Sequence, residues 1–221
     1  GTTVIYGYRS TITSHRFSGP LIRKIRFIIF SQADFIVTAG TASTEAVLNT
    51  GIAKEKIITL FNPVDVSWFD SFARSHRIAP TPGHRFLYVG QLIARKNVGA
   101  LIQAFALIKQ GDDRLLIAGD GSLLDELKAT AASLGVGDVV DFLGHQNQEE
   151  LATIYASSNT FILPSTNEVW GLVVNEALAS GLHAVISDKC GVAEFVENMP
   201  GCYITPTDPR SLADAMAKSR Q

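Results

Sequence analysis

Two carboxylates, Glu168 and Glu176, stand seven residues apart in the segment 164–187, PSTNEVWGLVVNEALASGLHAVIS, and their neighbours decide what chemistry that spacing allows. The apolar run 160–163 has strand length and stops at Pro164. Leu172, Val173, Ala177 and Leu178 then recur at helical spacing before Gly181 ends the pattern. The reading is strand, loop, helix, with a second buried strand over 183–187. Such a βαβ unit opens its loop at the carboxyl end of the first strand, where open α/β sheets bind ligands. Glu168 falls in the loop and Glu176 in the helix. The helix start offers unpaired N–H groups at Gly171, Leu172 and Val173 and the positive end of a dipole, a place for a phosphate. Carboxylates suit a different guest, the neutral hydroxyls of a ribose or a sugar. Phosphate beside sugar hydroxyls describes a sugar nucleotide.

A second group of candidates lies between another strand and its helix, in Gly90-Gln91-Leu92-Ile93-Ala94-Arg95-Lys96-Asn97. Arg95 as a bidentate fork and Lys96 as a point charge would clamp a diphosphate there. Gly119-Asp120-Gly121 follows the next strand and is half of a dinucleotide fingerprint. Its third glycine is missing, so a glycine turn into a helix capped by Ser122 is preferred to an NAD site. Phe142-Leu143-Gly144-His145 closes one more strand, with His145 either a ligand contact or a plain surface loop residue.

The segment Pro164-Ser165, Glu168, Gly171-Leu172-Val173-Val174-Asn175-Glu176-Ala177 resembles the E-x7-E motif of the retaining glycosyltransferases of family 4. The resemblance implies a GT-B architecture in which Glu168, Ser165, Gly171, Leu172, Val173 and Glu176 serve the donor. Family members usually carry Gly-Arg-Leu and then Lys-Gly against the donor diphosphate. Here Gly90 and Lys96 match, Gln91 stands for the arginine and Asn97 for the glycine, leaving Arg95 to supply the second cation. The same resemblance lines the nucleotide pocket with Gly119 and sets the base beside His145 and Gln146. It makes residues 1–63 the tail of an amino-terminal acceptor domain, incomplete here and ending at Asn62-Pro63-Val64-Asp65, and residues 64–221 the donor-binding domain. The final helix looks shortened against the same pattern.

The expected reaction is transfer of a hexose-type sugar from a nucleotide diphosphate donor to an acceptor hydroxyl with retention, in glycan or cell-surface polysaccharide synthesis. No metal or other cofactor is expected, since no Asp-x-Asp pair occurs and Lys96, Arg95 and the helix start can meet the charge on the leaving diphosphate. Glu176 would hold the ribose and Glu168 the transferred sugar. Lys96, Arg95 and Glu168 are therefore the candidate catalytic residues. The expected partners are a UDP-, GDP- or ADP-linked donor, a glycan or lipid-linked acceptor and the missing first domain. Rival readings are a sugar-nucleotide epimerase of the same architecture and a non-catalytic binding module. A glycosidase needs two carboxylates flanking one bond, and the adjoining phosphate site argues against it.

The elements that must position these residues form an alternation of strands and helices over 85–163, which predicts a doubly wound, Rossmann-like α/β fold with a parallel sheet and helices on both faces. Strands are expected at 85–89, 114–118 and 139–142, and helices at 97–109, 122–134 and 148–156, the last capped by Asn147 with Glu150 in a capping box. Before residue 64 a strand at 34–38, a helix at 41–50 capped by Thr41 or Ser43, and a strand at 57–60 give a partial βαβ unit. Residues 1–20, with Tyr6, Tyr8, Arg9, His15 and Arg16, read as irregular. The basic amphipathic segment 21–30 suits either a core helix or a peripheral contact with an anionic membrane face. A net charge of −2 on 221 residues disfavours nucleic acid as a main partner. Cys190 and Cys202 read as reduced thiols of a cytoplasmic protein. Gly1 opens no signal peptide, and the absence of an initial Met is read as a fragment or a processed chain.

Overall fold

A computed structural model describes residues 1–12, 17–60, 62–76 and 82–221. They fall into two compact units, Gly1–Pro63 and Val64–Gln221. In the first, β1 (Ile5–Tyr8), β2 (Phe35–Ala39) and β3 (Ile57–Leu60) form a parallel sheet in that order, with helices α1 (Pro20–Ser31) and α2 (Gly40–Leu48) between them. Its core is Phe30, Ala33, Ile36, Val47 and Ile52. The irregular reading of residues 1–20 is thus corrected by β1, whose edge position and exposed side chains leave no apolar alternation to see. His15 and Arg16 lie outside the described residues. Neither Thr41 nor Ser43 caps α2, which starts one residue earlier on Ala39. Helix α1 buries only Phe30 and leaves Leu21, Ile25 and Ile28 exposed. No described helix is long and apolar enough to cross a membrane.

The second unit carries six parallel strands: β4 (Arg85–Val89), β5 (Arg114–Ala118), β6 (Val140–Gly144), β7 (Thr160–Leu163), β8 (His183–Ser187) and β9 (Cys202–Thr205). Their spatial order is β6-β5-β4-β7-β8-β9, so the chain winds outward one way from β4 and then the other way from β7. The helices are α3 (Val66–His76), α4 (Val98–Ile108), α5 (Leu124–Ser133), α6 (Gln148–Ala156), α7 (Leu172–Ala179), α8 (Ala193–Val196) and α9 (Pro209–Lys218). This is a Rossmann-like doubly wound α/β fold with helices on both faces, and the order reverses between β4 and β7, which opens a crevice at their carboxyl ends.

Burial explains the strands. Phe86, Leu87, Tyr88, Phe161, Ile162 and Leu163 are wholly buried, as strands covered on both faces require. Helix α4 places Val98, Leu101, Ile102 and Phe105 on its core face at spacings of three and four. Two helix starts are fixed by their side chains. Asn147 accepts from the backbone of Glu149 and Glu150, whose own carboxylate returns to Asn147 N–H, and Asp208 accepts from Arg210 and Ser211 N–H ahead of Pro209. Ser122 caps nothing: α5 begins two residues later, because Leu123 N–H is taken by Leu92 O. Strand β9 and helix α8 were not foreseen. Residues 77–81, between α3 and β4, lie outside the described set.

Candidate functional site

The site is built on three loops that leave the carboxyl ends of β4, β5 and β7. The β4 and β5 loops touch backbone to backbone, Gly90 N–H donating to Ala118 O and Leu92 N–H to Asp120 O, and Gly119 N–H donates across to Gly144 O at the end of β6. Gly119, at φ 138°, lies so close that a Cβ there would stand 1.9 Å from Gly90 O, so only glycine fits. Beneath them Tyr88, fully buried, donates its hydroxyl to Gln91 O at 2.9 Å. Burial, then the charge of Glu168, holds that phenol protonated.

The β4 loop ends in a single turn, 94–96, followed by Asn97 in the left-handed conformation at φ 57° and ψ 33°. Asparagine tolerates this region better than most residues, which accounts for it where a glycine was expected. Its Nδ2 donates to Pro164 O at 3.2 Å and to Thr207 O at 2.9 Å, tying three loops together. Thr166 donates both its N–H and its hydroxyl to Arg95 O. Arg95 Nη1 donates to Asn167 O and stands 3.5 Å from Glu168 Oε2.

These contacts bring Lys96 and Glu168 into a direct ion pair. Lys96 is 9% exposed, and the side chain of Glu168 is 14% exposed. The acidic loop thus offsets one of the two positive charges of the cationic loop. Glu168 is also held by its backbone, its N–H donating to Lys189 O and its carbonyl accepting from Gly191 N–H. Cys190, between those two, is buried, and burial pushes its thiol up to about 12. Ser165 is fully buried and its hydroxyl has no hydrogen-bond partner.

Gly171, at φ 99°, is the residue before α7, and a Cβ on it would reach Leu163 Cδ2 at 2.7 Å. Leu172 and Val173 follow as the first turn of α7. Its orphan N–H groups face the carboxyl edge of the sheet by construction. Further along α7, Glu176 accepts the hydroxyl of buried Tyr155 at 3.0 Å. Burial raises its carboxyl group, and the tyrosine bond pulls it back.

Gly144, at φ 70°, ends β6 beside Gly119, which sets His145 and Gln146 at the same edge. His145 is exposed. Gln146 turns its amide inward, donating to Leu143 O at 2.7 Å and to His145 O. Sequence reasoning passed over Tyr88, Asn97, Thr166 and Tyr155 as contributors. The tyrosines read only as apolar positions of a strand and a helix, and no spacing rule exposes a hydroxyl that leaves the core at one tip.

Residues 72–219 match the family model described as glycosyl transferases group 1. The chain is 31% identical over 203 residues to an uncharacterized glycosyltransferase of Methanocaldococcus jannaschii, covering 87% of this chain and 52% of that protein. It is 29% identical over 206 residues to the glycogen synthase of Mycobacterium tuberculosis, covering 90% and 49%. The chain spans about half the length of these curated relatives. Anabaena HepE, solved in complex with UDP, is similar at a TM-score of 0.85 over 98% of this chain and 62% of that one, with 20% identity. The C-terminal domain of a group 1 glycosyl transferase family protein (LpcC) from Francisella tularensis is similar at 0.60 over 71% and 87%, with 19% identity. The structural likenesses speak for the GT-B fold, and the matched residues for the family. The chain belongs to the group 1 glycosyltransferases.

Proposed function

We propose that the Val64–Gln221 unit binds a nucleoside diphosphate sugar at the crevice between the β4 and β7 loops, as the donor half of a retaining hexosyltransferase. The observation that carries this reading is the Lys96–Glu168 pair, set with Arg95 at the point where the strand order reverses. An ammonium has three N–H donors, so the bond to Glu168 leaves two for a phosphate. The structure of Anabaena HepE with UDP and glucose supports a nucleotide-sugar donor.

In the proposed reaction the bond from the anomeric carbon to the outer phosphate oxygen breaks, and a bond to the acceptor oxygen forms on the same face. The acceptor proton passes to the departing phosphate. Lys96, Arg95 and the start of α7 offset the charge that builds there. Glu168 orients the sugar, Glu176 the ribose, and Ser165, Gly90, Gln91, Gly119, His145 and Gln146 shape the pocket around phosphate and base. The acceptor is assigned to the other unit. Its sheet ends in a cavity of about 190 Å³ whose lining mixes Arg9, Thr38 and Asn62 with Val37, Ala39 and Leu60, and this is the proposed place for it. The place of action is cytoplasmic, on a glycan or lipid-linked acceptor.

Calorimetric titration of this chain with UDP, GDP, ADP and their sugar conjugates tests the donor site. One nucleotide should bind in roughly the micromolar to millimolar range of ordinary substrates, and Glu176→Ala should weaken it about tenfold or more. Indifference to all three nucleotides overturns the reading. In the intact enzyme, conversion of the donor into an epimeric sugar nucleotide without any acceptor would count against transfer and for an epimerase.

A further inference from the structure

We propose that Tyr155 is a positioning residue for nucleotide recognition, its hydroxyl holding the Glu176 carboxylate in the orientation that receives the ribose hydroxyls of the donor. This rests on the reading of Glu176 as the ribose contact.

The ring of Tyr155 is 0% exposed and packs edge-on against Phe69 at 6.0 Å, with Phe161 at 6.3 Å. A phenylalanine would serve that packing equally well. What it would lack is the one polar atom, and that atom donates to Glu176 Oε2 at 3.0 Å. A buried phenol keeps its proton here, since burial and the neighbouring carboxylate both disfavour the phenolate, so it acts only as a donor to Glu176.

The two carboxylates of the motif are held in different ways. Glu168 is gripped by Lys96 and Arg95, which spend most of its charge. Among the described residues no ion pair is made to Glu176, and its hydrogen-bonding side-chain partner is the neutral Tyr155. A neutral donor fixes the rotamer without cancelling the charge. It takes one of about four lone-pair positions on the carboxylate and leaves the others for a diol. A half-buried glutamate with three rotatable bonds would otherwise have to be ordered by the ligand itself. Tyr155 belongs to α6 and Glu176 to α7, so the bond also sets the rotation of one helix against its neighbour at the site.

The test separates positioning from bulk. The chain, Tyr155→Phe and Glu176→Ala are titrated with UDP, GDP and ADP and with the 2′,3′-dideoxy form of each, and thermal midpoints are recorded alongside. For the nucleotide that binds, loss of the ribose hydroxyls should weaken the wild-type chain about tenfold or more, the size of one or two hydrogen bonds to a charged acceptor. Tyr155→Phe should weaken the natural nucleotide about three- to tenfold and leave the dideoxy form within twofold of wild type. A packing role alone would weaken both forms equally. Equal weakening of both, or of neither, overturns the proposal. If Glu176→Ala keeps the wild-type ratio between the two forms, or if none of the three nucleotides binds, the ribose reading of Glu176 itself fails. That outcome is distinct from a failure of Tyr155 alone.

Discussion

Removing the charge from Lys96 isolates the energy stored between the two site loops. Both side chains of its pair with Glu168 are nearly nine-tenths covered. At ordinary ion-pair separation and an effective dielectric near 20, the gross attraction is about 5 kcal/mol. Desolvation of both ions takes back most of it, but the asymmetry of loss remains: a lone buried carboxylate costs about 3–5 kcal/mol. Arg95 offsets part of that penalty from 3.5 Å away, and because its side chain is 47% exposed this relief is worth under about 1 kcal/mol. Lys96→Met should therefore destabilise the chain by about 2–4 kcal/mol and Glu168→Gln by a similar amount. The double variant, with no buried charge left unpaired, should cost less than either cost doubled by about 2 kcal/mol. Urea denaturation of the four proteins under two-state conditions measures that coupling. Additive costs, with a coupling below about 0.3 kcal/mol, would show that the pair is not an energetic unit and would remove the physical basis of the site assignment.

Two further outcomes follow from other contacts. Gly119→Ala forces a methyl group to 1.9 Å from Gly90 O at φ 138° and should cost about 3 kcal/mol or more, or prevent folding, whereas Gly135→Ala at φ 70° meets open space and should cost only about 1 kcal/mol; paired thermal melts compare them. His84 is pushed down to about 4, first by burial and next by the Arg220 charge, so it is neutral when folded and protonates more readily when unfolded. Its stabilising effect is full above pH 6.5 and is lost as pH falls from 6.5 toward 4. After discounting for a half-exposed ring this amounts to about 1–2 kcal/mol. Urea midpoints at pH 7.5 and 5.0 should show a steeper loss for the wild type than for His84→Gln, and equal losses would refute the assignment.

Much of the second unit was legible because its local signals agree with its burial. Strands β4, β5, β7 and β8 and helix α6 have the bounds that the apolar runs and the Asn147–Glu150 box indicate. Strand β6 begins one residue late and continues to Gly144, where its backbone meets Gly119, a partner that no local pattern names. Strands β1 and β9 escaped notice for a related reason. Each lies at a sheet edge, β1 with exposed and β9 with mostly half-buried side chains, and its pairing partner rather than its composition makes it a strand.

The types and order of the site residues were set in the chain itself: an acid in a loop, a glycine before a helix, a second acid inside that helix, and two cations after an earlier strand. Which of them touch was decided by the fold. Lys96 and Glu168 are 72 positions apart, and they meet only because β4 and β7 lie side by side at the reversal of strand order. Tyr155 and Glu176 meet because α6 and α7 both pack against α3, which brings the two side chains within reach. Periodicity reports how one element buries its own side chains, whereas an ion pair or a buried hydroxyl contact depends on the distance between elements, and that distance is fixed only when the sheet and its helices have packed.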